Sequence, residues 1–426
     1  MSKLLFNKAF SEHCSEDISS EQIEPCTIFY QQKQDCKCIE IIQDESSKKL
    51  LSSYYIGADW LIRNELAVYI EPKINEESQK TDYFKMLFSC LKHTDILNYS
   101  KDLYEIKFDE PFIEIDYAKD LITPLLFLQF LQLLKLIVQK GLKKSYYKVE
   151  QNLNCKIKGK VLVSKTIKKN ILKNQQTKTI CQFYEFGVNS IENRVLKRTL
   201  TFTQKYLSSY PNYYKRLADT INYCRPAFEQ INEEVDLREL KNVKHNSFFK
   251  EYKEVLHISS LILKRFGYNI KNINAGQELI KVPPFWIDMS KLFELYVLGK
   301  LKDTYGNKIK FQIKGTYGSP DFLLVSETEK IIIDTKYKPI YQSEKYVSDD
   351  IRQLSGYARD IGVLKHLGFN SELSKEIVVD CLIIYPAQLN ENASEDLSNN
   401  LKENTISGFT KFYKMQIKLP VINYEK

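Results

Sequence analysis

The most constraining stretch of this chain is a predicted hairpin near its C-terminal end, GSPDFLLVSETEKIIIDTKYKPI, from Gly318 to Ile340. Two apolar runs, FLLV and IIID, flank the polar turn SETEK, a pattern typical of two buried antiparallel strands. The first run begins just after Asp321, and the second ends in Asp334 and, two residues later, Lys336. Unpaired charges at the edge of a core cost several kcal/mol, so these side chains require ionic partners or a metal.

The alternation of a strand predicts that these charged groups meet. Side chains two residues apart point to the same face, so Asp334 and Lys336 are neighbours and Thr335 faces the other way. The turn places Asp321 opposite them. Mg²⁺, or Mn²⁺, would relieve the repulsion between the carboxylates, with Asp321 and Asp334 as its ligands. Lys336 would then hold, or help to deprotonate, a water that attacks a phosphodiester.

Two predicted helices beside the hairpin supply further polar side chains. Upstream, SKLFELYVLGKL carries Glu294, which would add a third acid to the site. Downstream, DDIRQLSGYARD places Gln353 and Tyr357 four residues apart, and therefore on one helix face. Gln353 is suited to orienting the phosphate or the lysine, and Tyr357 to packing beneath it. Each piece alone is weak, but the ordered set on helix, hairpin and helix predicts a nuclease site.

Periodicity divides the 426 residues into three predicted domains, since the chain is too long for one core. Residues 1–110 are β-rich, with strands in CTIFYQQ, CKCIEIIQ, SSYYIGADWLI and ELAVYIEPKI. Residues 111–274 are mainly helical. The helices predicted there are Leu121–Leu142, Ile191–Tyr210 and Tyr252–Arg265. Residues 275–426 predict a mixed sheet flanked by helices, so the fold class is multidomain, α+β and α/β.

A strongly basic segment lies within the helical middle, from Gln151 to Tyr184. It contains eight lysines and no aspartate or glutamate. Such a run is typical of a solvated surface, but the lack of acids also fits contact with a polyanion. The lysines that we expect to contact DNA are Lys158, Lys160, Lys165, Lys168, Lys169 and, at the end of the hairpin, Lys338.

Composition argues against several other classes of protein. A formal net charge of +8 permits nucleic-acid binding without requiring it. Nine cysteines without recurring CxxC pairs indicate the reduced thiols of a cytoplasmic protein rather than a disulfide framework. Gln129, Gln132 and Lys135 interrupt the apolar stretch at 121–142, so no membrane span is expected. No G-x-x-x-x-G-K-[ST] sequence occurs, so we expect this chain to bind no nucleotide.

The ordered motif resembles that of a known nuclease superfamily. The set Glu294, Pro320-Asp321, Asp334-Thr335-Lys336 and Gln353…Tyr357 is similar to the PD-(D/E)xK nuclease motif. More narrowly, the chain resembles the McrC family, the nuclease subunits of McrBC restriction systems. The resemblance extends beyond the site, because IGADWLIRNELAVYIEPKI (Ile56–Ile74) is similar to the family's N-terminal strand pair ending in a Pro-Lys dipeptide.

Two further segments carry the same resemblance. KGKVLVSKTIKKN and CQFYEFGVNSIENRVLKRTL, within Lys158–Leu200, are similar to the central signature of the McrC family, with Asn193 and Arg194 in its Asn-Arg position. FWIDMSKLFELYV resembles the segment that leads into the family's nuclease domain. The resemblance therefore covers most of the chain from about Tyr54 to Pro386.

The resemblance to the McrC family implies an endonuclease within a GTP-driven antiviral restriction complex directed at modified cytosines such as 5-methylcytosine. The implied partner is McrB, a hexameric AAA+ GTPase that recognises and translocates double-stranded DNA. The N-terminal and central parts of this chain would insert into its ring and stimulate its GTPase, which makes residues 1–110 a partner-binding domain. Residues 275–426 would have the restriction-endonuclease-like PD-(D/E)xK fold. Whether two complexes must meet to cut both strands is left open.

Two other functions stay open at this point. The first is a non-catalytic adaptor that keeps a nuclease fold as a scaffold and activates an AAA+ GTPase; the intact acids and lysine argue against it. The second is a stand-alone DNA repair exonuclease, because the Gln-x-x-x-Tyr helix also occurs in exonucleases of the PD-(D/E)xK superfamily. Cleavage of free DNA ends without nucleotide would indicate the second.

Overall fold

A computed structural model shows a mixed α/β protein with several sheets. The residues that the structure describes are 3–4, 10–18, 23–31, 33, 35–43, 47–74, 80–91, 93, 99, 102–107, 109–116, 122–208, 211–235, 250–267, 279–338, 348–369, 377–388, 397 and 401–421. They form two compact units, the first within residues 1–125 and 277–426 and the second within residues 126–276. Among the helices of these ranges, none combines the length and the apolar character that crossing a membrane requires.

The bounds of the elements are as follows. The strands are β1 (Lys3–Leu4), β2 (Phe10–Ser11), β3 (Ser15–Ile18), β4 (Cys26–Phe29), β5 (Lys37–Gln43), β6 (Lys48–Ser52), β7 (Tyr55–Ile62), β8 (Leu66–Glu71), β9 (Tyr104–Ile106), β10 (Ile113–Asp116), β11 (Ser145–Asn154), β12 (Lys160–Val161), β13 (Lys178–Gly187), β14 (Leu279–Val282), β15 (Phe285–Asp288), β16 (Ile309–Phe311), β17 (Phe322–Val325), β18 (Lys330–Thr335), β19 (Asp380–Pro386) and β20 (Phe412–Ile417). The α-helices are α1 (Tyr83–Leu91), α2 (Ile122–Lys140), α3 (Val163–Lys169), α4 (Ile191–Ser208), α5 (Pro211–Cys224), α6 (Lys250–Gly267), α7 (Met289–Tyr305), α8 (Ser348–Tyr357) and α9 (Ile361–His366).

The four strands predicted near the N-terminus are confirmed as β4, β5, β7 and β8. β3 to β6 form an antiparallel sheet in the order β3-β6-β5-β4. Ile39 and Ile41 of β5 are both buried, as the two-residue period of a strand with one core-facing side requires. They pack with Leu50 of β6 in the core of this sheet.

A second sheet of the first unit joins segments that are far apart in the sequence. Its order is β1-β8-β7-β15-β9, with β2 also paired to β8. Gly57 of β7 has a φ of 151°, and a Cβ there would lie 2.0 Å from the carbonyl oxygen of Phe285 in β15, so only glycine allows this approach. Sheet pairing thus crosses the predicted boundary at residue 275, because pairing between distant strands leaves no trace in local periodicity. The three-domain division stays a prediction.

The C-terminal sheet of the first unit carries the predicted hairpin. Its order is β16-β17-β18-β19-β20, with antiparallel pairing from β16 to β18 and parallel pairing from β18 to β20. The hairpin turn is closed by the Ser326 amide, which donates to the Glu329 carbonyl at 2.8 Å. Leu323 of β17 and Ile332 of β18 are fully buried in the core beneath. The predicted mixed sheet is confirmed, with α7 before the hairpin and α8 after it.

The second unit contains the predicted helices as α2, α4 and α6. The predicted end of the second helix at Tyr210 lies outside the described residues; α4 ends at Ser208. The unit also contains an antiparallel sheet, β11-β13-β12, that the sequence did not predict. β11 pairs with β13 over its whole length, from Ser145 opposite Gly187 to Asn154 opposite Lys178. β11 and β13 form a β-ribbon, and the basic segment contains the end of β11, all of β12 and α3, and β13 as far as Tyr184.

Candidate active site

The hairpin of β17 and β18 brings Asp321 next to Asp334. Phe322 pairs with Ile333 in the antiparallel register, so the preceding Asp321 falls opposite Asp334 at the edge of the sheet. Asp334 is 3% exposed because β18 is an inner strand, paired to β19 on its other side. The structure thus places two carboxylates where the second strand ends and Lys336 follows.

A chain of polar contacts connects Asp334 to α8. The Lys336 ammonium lies 2.6 Å from Oδ2 of Asp334 and donates to Oε1 of Gln353 at 3.0 Å. Nε2 of Gln353 in turn donates to the Tyr357 hydroxyl at 2.8 Å. The four-residue spacing on α8 makes the last contact, as the helical period predicts. Gln353 therefore contacts the lysine, and orienting it, one of the two roles that the sequence suggested, stays a prediction.

Thr335 departs from the simple alternation of the strand. The sequence predicted its side chain on the face away from the acids, but its hydroxyl donates to Oδ2 of Asp321 at 2.6 Å. The Thr335 amide donates to the same oxygen at 2.7 Å. The contact forms because Asp321 precedes β17 and is free of the strand's own alternation. These two hydrogen bonds hold one oxygen of Asp321.

Glu294 joins the two aspartates from α7. This helix is capped by Asp288, whose side chain accepts from the Lys291 amide. Lys291 donates to both carboxylate oxygens of Glu294, at 2.9 and 3.0 Å. Burial and the carboxylate of Asp321 raise the pKa of Glu294, although Lys291 opposes them. The carboxylate of Asp321 therefore affects the pKa of both other predicted acids, Glu294 and Asp334.

The pKa values of Asp334 and Lys336 are shifted in the same direction for different reasons. Burial and the neighbouring Asp321 raise the pKa of Asp334 to about 7. Burial alone would lower the pKa of Lys336, but the carboxylates of Asp334, Asp350 and Asp321 together raise it. Lys336 is therefore held as an ammonium, which can donate hydrogen bonds and stabilise negative charge.

Asp350 is a site residue that sequence reasoning missed. It lies in the first turn of α8, with Oδ1 3.8 Å from the Lys336 ammonium. Its carboxylate also accepts from Lys338, at 3.0 and 3.2 Å. Nothing in DDIRQ distinguishes Asp350 from the exposed Asp349 except the burial of one helix face, and the apolar Ile351 and Leu354 beside it were the available signal.

The acids suit a divalent cation whose shell is completed by water and substrate. Ionising three neighbouring carboxyl groups without a cation is unfavourable, as the raised pKa values of Asp334 and Glu294 indicate. In the part of the chain that the structure describes, no group of three or more His, Cys, Asp or Glu side chains is placed so that it could hold a metal ion. Mg²⁺ commonly takes one or two carboxylates and keeps waters and phosphate oxygens for its other positions. Asp321 and Asp334 fit that pattern.

Comparison with known proteins identifies the family of this chain. A family model described as the McrBC 5-methylcytosine restriction system component matches residues 53–365, well over half of the sequence. The chain belongs to the McrBC family. All six predicted catalytic residues of this McrBC-family chain, from Glu294 to Tyr357, lie within the matched range.

Solved structures of McrBC proteins from Thermococcus gammatolerans are similar to the chain at low identity. One is a refined half-complex from a tetradecameric assembly of McrB AAA+ hexamers with bound McrC, with 15% identity over 96% of this chain and 94% of that chain and a TM-score of 0.39. Another is the McrBC complex, with 16% identity over 69% of this chain and 86% of that chain and a TM-score of 0.29. Because both TM-scores are below 0.5, the membership rests on the family model. A comparison with curated proteins finds no match.

The basic segment of this McrBC-family chain is partly neutralised by acids that flank it. Lys158 forms an ion pair with Glu185 at 2.9 Å, and Lys165 forms one with Glu150 at 2.6 Å. Both acids lie just outside residues 151–184, so the sequence window hid them. Lys160, Lys168 and Lys169 are also exposed to solvent. Three of the six lysines predicted to contact DNA, Lys158, Lys165 and Lys338, thus have acidic partners.

The same β-ribbon exposes an aromatic face, which we define as Tyr146, Tyr184 and Phe186. These side chains are 74%, 67% and 61% exposed, respectively. Tyr146 and Phe186 are direct cross-strand partners, with ring centroids 5.1 Å apart, and Tyr184 pairs with Lys148 one step along the same face. Contiguous exposed apolar side chains indicate an interaction surface more often than scattered ones do.

The raised pKa of Asp334 predicts how the stability of the metal-free chain depends on pH. Its folded-state pKa of about 7 lies above the ordinary value of 3.8, so the folded chain retains a proton that the unfolded chain has released. The stabilising contribution is complete below about pH 4 and is lost as the pH rises to about 7. In EDTA we therefore expect the Tm to fall between pH 5 and 7.5. The Tm of the Asp334→Asn variant should fall less steeply over this pH range. The Tm of Asp349→Asn, a change at an exposed position, should follow that of wild type.

If Asp321 and Asp334 are metal ligands, as predicted, Mg²⁺ should reverse this loss, because it would bind the ionised carboxylates. The rise in Tm on adding Mg²⁺ should be larger at pH 7.5 than at pH 5.5. Thermal unfolding followed by circular dichroism measures both effects. A wild-type chain and an Asp334→Asn variant with the same pH dependence would contradict the prediction.

Proposed function

We propose that this chain is the metal-dependent DNA endonuclease subunit of a GTP-driven McrBC-type restriction complex. The supporting observation is the connected group Asp334, Lys336, Gln353 and Tyr357, with Asp321 against Asp334. This is the ordered PD-(D/E)xK pattern gathered at one sheet edge, and it lies in a chain of the McrBC family. The sequence pattern and the side-chain contacts at this sheet edge both support a phosphodiester-cleaving role for these residues.

In the proposed reaction, Asp321 and Asp334 would hold Mg²⁺ or Mn²⁺, and the bound cation would supply Lewis-acid chemistry at the scissile phosphate. The Lys336 ammonium would donate a hydrogen bond to the attacking water or to a phosphate oxygen. Gln353 fixes the direction of that donor through its contact at 3.0 Å. Because Lys336 is held protonated, holding the water is better supported than deprotonating it, the other role that the sequence suggested.

The proposed partner is an McrB-like AAA+ GTPase hexamer, and the proposed target is double-stranded DNA with modified cytosines. The family description names a 5-methylcytosine restriction system, and the sequence of this chain contains no P-loop to hydrolyse nucleotide. A separate motor must therefore supply the GTPase. This chain would bind that motor, stimulate it and cut the DNA that it delivers.

DNA contact is proposed for the lysines of the basic segment and for Lys338. Lys160, Lys168 and Lys169 are the stronger candidates, because they are exposed and the other three have carboxylates within ion-pair distance. A lysine already paired with an acid must lose that partner to bind a phosphate, so its net contribution to affinity is smaller.

The aromatic face is the proposed contact with the GTPase partner. We expect the double variant Tyr146→Ser/Phe186→Ser to reduce stimulation of the partner's GTPase at least about tenfold, because exposed aromatic anchors carry much of the energy of protein interfaces. A matched control is Tyr317→Ser, which alters a tyrosine that is 95% exposed in the other unit. Unchanged stimulation with a folded double variant would exclude this surface as the contact.

The experiment that tests the proposed function is DNA cleavage by the full chain, with and without the GTPase subunit, GTP and Mg²⁺. We expect scission of modified DNA only when all are present. Stimulation of the GTPase without any cutting would favour the adaptor function instead. Degradation of free DNA ends by this chain alone, without nucleotide, would favour the repair exonuclease.

A further inference from the structure

The Pro-Lys dipeptide at 72–73 has no role in the site described so far, yet its lysine reaches that site. Lys73 follows β8, and its ammonium donates to the carbonyl oxygen of Tyr337 at 3.1 Å. The same ammonium lies 4.5 Å from the centroid of the Tyr337 ring and 4.8 Å from that of Tyr54. A side chain of the N-terminal sheet therefore holds the residue immediately after Lys336.

The carbonyl that Lys73 binds belongs to a tight turn. The amide of Lys338 donates to the carbonyl of Lys336 at 2.7 Å, which closes a three-residue turn centred on Tyr337. The amide of Lys336 donates to Ile384 of β19 at 2.9 Å, so sheet pairing holds the start of this turn. Its far side is held by Lys73. The direction in which Lys336 leaves the sheet depends on both contacts.

The other contacts of Lys73 and Tyr337 fix this arrangement from two sides. Glu12, 1% exposed, accepts from the Lys73 amide at 3.3 Å and is itself tied to β8 through its own amide, which donates to Glu71 at 2.9 Å. The Tyr337 ring packs on Phe293 with centroids 5.7 Å apart. Phe293 is the neighbour of Glu294 on α7. These contacts thus join the N-terminal sheet to α7, which carries Glu294, and to the end of β18, which carries Asp334.

Lys73 is half-buried, and withdrawing part of a charged side chain from water costs free energy. Burial lowers the pKa of Lys73, and the carboxylate of Glu12 only partly offsets this. An apolar side chain of similar volume commonly packs such a position as well or better. The cost is understandable where a charged donor must reach one defined acceptor. Here the acceptor lies in the turn that carries the proposed catalytic lysine.

We propose that Lys73 is a positioning residue, which holds the turn at 336–338 and thereby directs Lys336 toward Asp334 and Gln353. The inference rests on the proposed function for its catalytic consequence. Its structural part, the restraint of the turn, stands on the contacts alone. The proposal gives Lys73 no contact with substrate or metal, because its contacts are with Tyr337, Glu12 and Tyr54, so its removal should affect turnover and not DNA binding.

The test compares Lys73→Met with wild type and with Lys308→Met, which removes an exposed lysine of the same unit, outside the predicted partner-binding domain. In the assembled complex, kcat for DNA cleavage should fall about 10- to 100-fold in Lys73→Met, with KM within about twofold of wild type. Lys73→Arg, which keeps a charged donor, should recover part of the rate. The cleavage rate of Lys308→Met, and the stimulation of the partner's GTPase by that variant, should match wild type.

Hydrogen exchange provides a readout that does not depend on catalysis. Loss of one hydrogen bond should make amides in peptides covering 334–338 exchange about tenfold faster in Lys73→Met, while peptides from β20 keep their wild-type rates. If the wild-type complex does not cleave DNA, the proposed function fails, and the exchange measurement still decides whether Lys73 restrains the turn.

Two results would overturn the proposal. A folded Lys73→Met variant with wild-type kcat and wild-type exchange at 334–338 would overturn the proposal. If methionine prevents folding, Lys73→Gln, which keeps a neutral donor, replaces it in both measurements. A position that tolerates neither residue is a determinant of folding as a whole, and that result would also overturn a positioning role.

Discussion

Replacing Asp334 by asparagine is expected to lower DNA cleavage by the assembled complex about 1000-fold or more, or ~4 kcal/mol of transition-state stabilisation. The change keeps the shape of the side chain and removes the charge that would hold the metal. Asp334 is 3% exposed and lies 2.6 Å from Lys336, so a carboxylate on the protein surface cannot take its position. Single-turnover cleavage measures the loss.

The control for Asp334→Asn is Asp349→Asn, an identical chemical change at an exposed position in the first turn of α8. It should cleave DNA at the wild-type rate. Stimulation of the partner's GTPase should persist in both variants, because it does not require the cutting site. An Asp334→Asn variant that cuts within tenfold of wild type would remove the metal ligand from the proposal.

Replacing Lys336 by methionine should lower cleavage about 100- to 1000-fold, the effect of removing one charged donor aimed at the transition state. Methionine keeps most of the aliphatic length but leaves the Gln353 amide oxygen and the Asp334 carboxylate without their shared cation. We expect DNA affinity to change little, because Lys336 is one cation among many in the complex. The binding constant and the single-turnover rate, measured side by side, separate the two effects.

Lys308→Met is the matched control, since Lys308 is an exposed lysine of the same unit. Its rate and affinity should equal those of wild type. If Lys336→Met instead loses DNA affinity in proportion to its rate, Lys336 contributes to binding and not to the chemical step. If it cleaves at the wild-type rate, the nuclease assignment itself is wrong.

Local periodicity predicted the strands and helices of the C-terminal sheet, but it did not predict which distant strands pair with one another. The apolar runs at 322–325 and 331–333 could only be buried strands, and both are. The ribbon of β11 and β13 was missed because most of β11 is polar and because β13 carries apolar side chains on both faces, so neither strand shows a clear apolar alternation. β15 joined the N-terminal sheet through pairing with β7 and β9, which depends on contacts remote in sequence.

The residues of the candidate site also fall into two classes, those that local sequence predicted and those that it did not. Asp334 with Lys336, and Gln353 with Tyr357, lie at fixed spacings on one strand end and one helix, so local geometry was enough to predict that each pair is adjacent. Asp350 and Lys73 were missed, because their contacts with this group come from the packing of separate elements. Such contacts have no signature within a single stretch of sequence.

The most direct measurement is anomalous diffraction from crystals of the full chain soaked in Mn²⁺. The proposed metal site requires a manganese peak at ligand distance from both Asp321 and Asp334, absent from crystals of the Asp334→Asn variant. A wild-type protein that cleaves DNA in Mn²⁺ but shows no ion between these two carboxylates would contradict it.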